Sequence, residues 1–127
     1  MNNTVNKRVW NSQKTKRLNK LEQAKIKGFD KQVAHDRVIE LLETVIACGD
    51  KVCQEGNNQK QADFLAKALS QCNPEVLNNL HILQSVLALP SHLDIFEKGV
   101  ASKLDFSFSG PQSLRLAQLV QQQKISI

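Results

Sequence analysis

Short extended runs alternate with helical patterns along most of this 127-residue chain, and that alternation constrains the fold more than any other feature. Val52-Cys53-Gln54-Glu55 and Leu80 to Val86 read as strands. Leu104-Asp105-Phe106-Ser107-Phe108 alternates with period two, the clearest strand signal in the chain. Between them lie helical patterns. Residues 32–47 carry Val38, Leu41, Leu42, Val45 and Ile46 at helical spacing, with Gly49 placed to end the element. A second helix is predicted over about 60–70, with Ala62, Leu65, Ala66 and Leu69 on its buried side. A short third helix opens at Pro90-Ser91, where Ser91 and Asp94 have capping-box spacing, and closes at Gly99. A fourth follows Gly110-Pro111, with Leu114, Leu116, Ala117, Leu119 and Val120 as its apolar face. Strands separated by helices of this length imply crossover connections and a mostly parallel α/β sheet. Parallel strands need cover on both faces. Lys124-Ile125-Ser126-Ile127 begins a further strand with no helix after it, so the expectation is a sheet incomplete at its C-terminal side.

Charge divides the chain into two parts. Residues 1–31 hold nine Lys or Arg against Glu22 and Asp30, a net +7, which leaves −2 for the other 96 residues of a chain at +5. Residues 1–30 are therefore read as a basic N-terminal arm, and residues 31–127 as the first part of an α/β domain. Trp10, Leu18, Leu21 and Ile26 are spaced to form one face of a short docking helix in the arm, with Gly28 as its break. A basic arm binds nucleic acid, an acidic partner, or only water. No apolar run approaches the roughly 20 residues of a membrane span. The start, Met1-Asn2-Asn3-Thr4, lacks the apolar segment of a secretory signal, so a cytoplasmic location is expected.

Cys48, Cys53 and Cys72 are odd in number and lack a nearby His at ligand spacing, which argues against a disulfide framework and against a zinc site. They are expected to be buried or chemically quiet thiols. In open parallel sheets ligands bind at the carboxyl ends of strands. Three segments reach that edge: Glu55-Gly56-Asn57-Asn58-Gln59, Gln84-Ser85, and Ser107-Phe108-Ser109-Gly110. In the first, a strand ends, a glycine permits close backbone approach, and a helix is expected to start. Free N–H groups there favour a carboxylate or a developing oxyanion. The amides of Asn57, Asn58 and Gln59 add donors without charge. The same spacing also describes a plain strand-to-helix turn. Glu55 has no partner His or Lys in sequence and reads as structural. His81 and His92 read as packing or surface residues, and Phe106 and Phe108 as core.

The same stretches carry a family resemblance. Gly49 to Leu65 (GDKVCQEGNNQKQADFL), Leu80 to Leu93 (LHILQSVLALPSHL) and Leu104 to Gln112 (LDFSFSGPQ) resemble, in order, segments of malonate decarboxylase alpha subunits. Gln54 stands where the family pattern has an apolar residue. The resemblance implies a fold related to the coenzyme A transferases, with a Rossmann-like sheet in each of two halves. It implies exchange of acetyl for malonyl on an acyl-carrier-protein thioester, releasing acetate, before other subunits decarboxylate the malonyl group. The carrier partner would bear a dephospho-coenzyme-A-derived prosthetic group. Gly56 and Asn57 would stabilise the oxyanion, with Asn58, Gln59, Gln84, Ser85, Ser107 and Gly110 contacting malonate. The nucleophilic glutamate of the coenzyme A transferases belongs to the second half, and no residue here corresponds to it. The runner-up is a small basic nucleic-acid-binding protein, supported by the arm alone. A third reading is an inert fragment that folds only on its complement.

Overall fold

The computed structural model describes residues 10–57 and 59–127, with side chains described from Gln13 onward. In chain order the elements are α1 (Trp10–Ile26), a 3-10 turn (His35–Arg37), α2 (Val38–Val45), β1 (Lys51–Gln54), α3 (Asp63–Ser70), β2 (Leu80–Val86), α4 (Ser91–Glu97), β3 (Ala101–Phe108), a second 3-10 turn (Gly110–Gln112) and α5 (Ser113–Gln121). The three strands form one parallel sheet in the order β1-β2-β3. The α/β architecture and parallel sheet are those the alternation predicts. The terminal run also joins them: Ser126 bridges Lys103 in parallel, its N–H donates to the Ser102 carbonyl at 2.8 Å, and its own carbonyl accepts from Leu104 N–H at 2.9 Å.

Topology fixes where the core sits. Successive strands step the same way across the sheet, and right-handed crossovers then put the connecting helices on one face. In register on that face stand Val52, Ile82 and Leu104, followed by Gln54, Gln84 and Phe106. A cluster joins Leu69, Leu80, Ile82, Leu93, Phe96, Leu104, Leu116, Leu119 and Ile125, so α3, α4, α5 and the terminal run close over the same side. Ile39, Leu42 and Ile46 add partial cover from α2 and its end. The opposite face carries Lys51, His81 and Lys103 in one row and Cys53, Leu83 and Asp105 in the next. Of these, only His81 and Leu83 are even half-buried.

Several boundaries differ from the expectations. The first helix covers 38–45 rather than 32–47: Ile46 turns extended (ψ 140°) while its N–H still reaches Leu42 O. The next begins at Asp63, not near 60, because the residues before it are closed into a loop. Ser91 makes no capping bond: Pro90, already helical at φ −54°, occupies the cap position. Leu65, Leu114, Ala117 and Val120 are exposed; of the expected apolar faces Ala66 and Leu69 in α3 and Leu116 and Leu119 in α5 are buried, Ala62 is half-buried just before α3, and α3 also buries Ala68 and Ser70. Phe106 packs on the core, but Phe108, 63% exposed, does not; it lies beyond the cover of the helices. In α1, Leu18, Leu21 and Ile26 face solvent, and the helix instead buries Ala24 and, just beyond its end, Phe29. The break at Gly28 is where the spacing puts it: Phe29 N–H bonds Ala24 O and Gly28 N–H bonds Lys25 O, each at 2.9 Å, which is Schellman closure. The side chain of Trp10 lies outside the described residues.

Candidate functional site

After β1 the chain folds back on itself. Gly56 and Gln61 form an antiparallel bridge, with Asn57 N–H donating to Lys60 O at 2.9 Å and Ala62 N–H to Glu55 O at 3.1 Å. Asn57 closes the loop from inside, because its Oδ1 accepts from Gln59 N–H and Lys60 N–H, both at 2.8 Å. That is the local side-chain-to-backbone bonding Asn favours in turns. The Gln61 amide donates to Asn57 O. The backbone donors of residues 57, 59 and 60 are thus spent within the loop, and α3 begins three residues farther on than expected. Asn57 and Gln59 are exposed at the loop's outer side. Their side-chain amide donors have no hydrogen-bond partner among the described residues. Asn58 lies outside the described residues.

The loop is seated on β2. Gly56 is buried; its carbonyl accepts from Val86 N–H at 3.1 Å and from the Ser85 hydroxyl. A Cβ at Gly56 would stand 2.5 Å from Gln84 Nε2 and 3.0 Å from Val86 O, so a methyl group there would displace the Gln84 amide and crowd the Val86 carbonyl. Gln84 pairs with Gln54 across the sheet on the helix-covered face. Both are buried, and Gln54 Oε1, Gln84 Oε1, Gln84 Nε2 and Gln61 Oε1 have no protein hydrogen-bond partner. Buried carboxamides in this condition need water or a rearranged network to offset their desolvation.

On the open face, beside the same strand ends, a shallow cleft of about 340 Å³ is lined by Cys53, Leu83, Ser85, Asp105 and Ser107 together with Gln54, Gln84 and Phe106. Of the residues expected at the site, Gln84, Ser85 and Ser107 share this cleft, and Gly56 adjoins it through Ser85 and Gln84. Gly110 sits apart, where a Cβ would meet the Phe108 ring at 3.5 Å and Leu87 O at 3.8 Å. Asp105 Oδ2 accepts from His81 Nε2 at 2.8 Å on the open face. This pair depends on the β2–β3 register and left no local sign in the sequence.

Glu55 is exposed, with no charged partner among the described residues. His92 is buried in the first turn of α4. Leu89 N–H donates to its Nδ1 at 3.3 Å, which places the ring proton on Nε2, itself buried without a partner. Burial holds the imidazole pKa below its ordinary value. All three cysteines are free. Cys72 is buried, and that burial, with Glu43 nearby, pushes its thiol up to about 11. Of the thiols expected to be buried or chemically quiet, Cys48 and Cys53 are exposed: Cys53 falls on the uncovered sheet face and Cys48 in the turn before β1. Among the described residues no group of three or more His, Cys, Asp or Glu is placed to hold a metal, and no helix is long and apolar enough to cross a membrane.

Comparison with known proteins shows the family of the chain. The sequence profile described as malonate decarboxylase, alpha subunit, transporter, matches residues 9–127. The chain belongs to the malonate decarboxylase alpha-subunit family. It is 43% identical over 121 residues to the acetyl-S-ACP:malonate ACP transferase of Malonomonas rubra, covering 94% of this chain and 22% of that protein. The crystal structure of a malonate decarboxylase alpha subunit from Acinetobacter baumannii superposes with a TM-score of 0.86 at 47% identity, over 94% of this chain and 22% of that one. A Pseudomonas malonate decarboxylase hetero-tetramer, solved in complex with malonate, matches with a TM-score of 0.82 at 42% identity, over 91% of this chain and 22% of the other. The chain therefore spans about a fifth of the length of these relatives.

In this alpha-subunit fold the three stretches that resemble the family take on a common position. Residues 49–65 hold β1, the closed loop and the start of α3; residues 80–93 hold β2 and the turn into α4; residues 104–112 hold the end of β3 and the turn that follows. All three run out at the carboxyl edge of one sheet. Sequence reasoning missed the Gln54–Gln84 pair, since each residue looks ordinary alone and only the β1–β2 register sets the two buried, unpartnered carboxamides side by side.

Proposed function

We propose that this chain forms the amino-terminal part of an alpha subunit that exchanges acetyl for malonyl on an acyl-carrier-protein thioester, releasing acetate. The observation that carries the reading is the family match over residues 9–127, together with a loop at the strand edge built from uncharged donors. Asn57 and Gln59 have exposed side-chain amides, while Ser107 adds a hydroxyl in the adjoining cleft; the Ser85 hydroxyl, whose proton goes to Gly56 O, seats the loop. Such donors suit the malonate carboxylates and a thioester oxygen that gains charge in the transition state. Their neutrality limits ground-state affinity for the dianion, which matters because uniform binding does not speed the chemical step. Gly56 and Asn57 are assigned to the oxyanion, and Asn58, Gln59, Gln84, Ser85, Ser107 and Gly110 to the substrate. The acyl-accepting glutamate is assigned to the remainder of the subunit. The thioester arrives on a dephospho-coenzyme-A-derived group of the carrier subunit, and the complex with its decarboxylating subunits works in the cytoplasm.

The loop's geometry defines the test. In the full-length subunit assembled with its partners, Asn57→Asp keeps the Oδ acceptor that closes the turn but removes the amide donor. Acyl exchange is expected to fall by roughly tenfold to a thousandfold, as for loss of one oxyanion donor. Gln59→Ala should lower it within the same range. Exchange at the parent rate in both variants removes the loop from the mechanism. The alternative of a small nucleic-acid-binding protein has only the basic arm behind it, and no structural observation favours it.

A further inference from the structure

A second cleft, of about 830 Å³, opens at the other end of the sheet, between α1 and the turn that leads into β1. Its volume lies within the range of small-molecule sites, roughly 300–1,000 Å³. Four cations line it, Lys16, Arg17 and Lys20 from α1 and Lys51 from the first position of β1. A single carboxylate, Asp50, answers them. Lys20 Nζ lies 2.5 Å from Asp50 Oδ2, and Ala47 N–H donates to the same oxygen at 2.9 Å. Burial alone would raise the Asp50 pKa, but the Lys20 and Ala47 hydrogen bonds and the charges of Lys20 and Lys16 hold it below the ordinary value. Asp50 therefore remains charged and fixes Lys20, while Lys16, Arg17 and Lys51 have no ion-pair partner among the described residues. The cleft keeps a formal excess of three positive charges in a concave setting, where field lines concentrate and counter-ions gather.

We propose that this cleft binds a small, multiply charged phosphate compound, of the size and charge of a diphosphate ester. The inference is independent of the acyl-transfer reading, which concerns the opposite edge. Arg17 supplies the planar fork that matches phosphate oxygens in pairs, and Lys16 and Lys51 supply point charges from different elements, so a ligand between them is held from two sides. A monovalent carboxylate would leave most of that charge unanswered.

The test uses inorganic pyrophosphate as the probe, titrated calorimetrically into the whole chain at low and moderate salt. Saturable binding is expected, weakened at least tenfold by Lys16→Ala with Arg17→Ala. The pair Lys67→Ala and Lys98→Ala, which removes the same charge elsewhere, should change it less than twofold. Cys48 lines the cleft and gives a second readout. With Cys53→Ser to silence the other exposed thiol, pyrophosphate should slow maleimide labelling of Cys48 in the parent and leave the Lys16/Arg17 variant unprotected. No saturable binding, equal loss in the two charge variants, or unchanged Cys48 labelling at saturating pyrophosphate would each overturn the proposal. So would a DNA duplex displacing pyrophosphate at equal phosphate concentration, since that is the behaviour of a diffuse basic surface.

Discussion

Gly56 and Gln54 mark opposite outcomes of burying a residue at the sheet's edge. A methyl group at Gly56 meets Gln84 Nε2 at 2.5 Å and the Val86 carbonyl at 3.0 Å, and the second contact is backbone that cannot swing away. Gly56→Ala should cost about 1–3 kcal/mol, the usual penalty for overpacking, and shift the loop off β2. Urea melts and the loss of Val86 amide protection would show it; an unperturbed Val86 amide would contradict the steric account. Gln54 is the reverse case. It stands where the family resemblance puts an apolar residue, it is buried, and its Oε1 has no protein partner. Gln54→Leu removes that desolvated acceptor and should stabilise the fold by about 1–2 kcal/mol. A variant less stable than the parent would mean that the carboxamide is already satisfied by buried water. Gln123 offers an independent gain: it closes α5 at φ 58°, with Lys124 N–H on Leu119 O at 2.9 Å, in a conformation that favours glycine. Gln123→Gly should add up to about 1 kcal/mol, read in the same melts.

Elements were legible where their pattern is local. β2 runs from Leu80 to Val86, the bounds its sequence predicts, with Leu80, Ile82 and Gln84 buried and His81 and Leu83 half-buried between them. β3 starts at Ala101, earlier than Leu104, because Ser102 and Lys103 lie away from the apolar cluster and leave no apolar mark. The face of α1 was misread for a related reason: spacing groups Leu18, Leu21 and Ile26, but small Ala24 and Phe29 beyond the helix make the contact. The candidate loop could be found from the strand, glycine and amide run. What spacing could not supply was the seat of Gly56 on Gln84, which depends on how β1 registers with β2 some thirty residues on. Helix α4 carries a pH prediction of its own. His92 is buried with a depressed pKa, so the unfolded chain binds its proton more readily than the folded one. Stability from this group is full above its unfolded value of about 6.5 and is lost as pH falls through and below that value. Melts between pH 7.5 and 5 should therefore show declining stability, with a smaller decline in His92→Gln. Equal slopes for the two proteins would assign the acid sensitivity to other groups.

At the scale of the whole molecule, the strand order is the decisive fact. Three parallel strands in sequence, with crossovers of one hand, yield one well-filled face and one that exposes Lys51, Cys53, Lys103 and Asp105 beside a half-buried Leu83. The filled face extends from Leu69 in α3 to Ile125 in the terminal run, so stability is concentrated in a single apolar cluster. Ile125 belongs to that cluster, 4% exposed, and anchors the run whose Ser126 pairs with Ser102 and Leu104. Ile125→Ala should cost about 2–4 kcal/mol, a large share of the 5–15 kcal/mol typical of a domain. The pattern of loss distinguishes a docked strand from a loosely laid tail. If the run completes the sheet, hydrogen exchange at Leu104 and Ser126 should accelerate most, while the His81 amide, bonded to Asp50 O at 3.0 Å on the far side of β2, should change only with global stability. If those amides exchange freely in the parent protein, the terminal run contributes nothing to the sheet, and β3 is its outer edge.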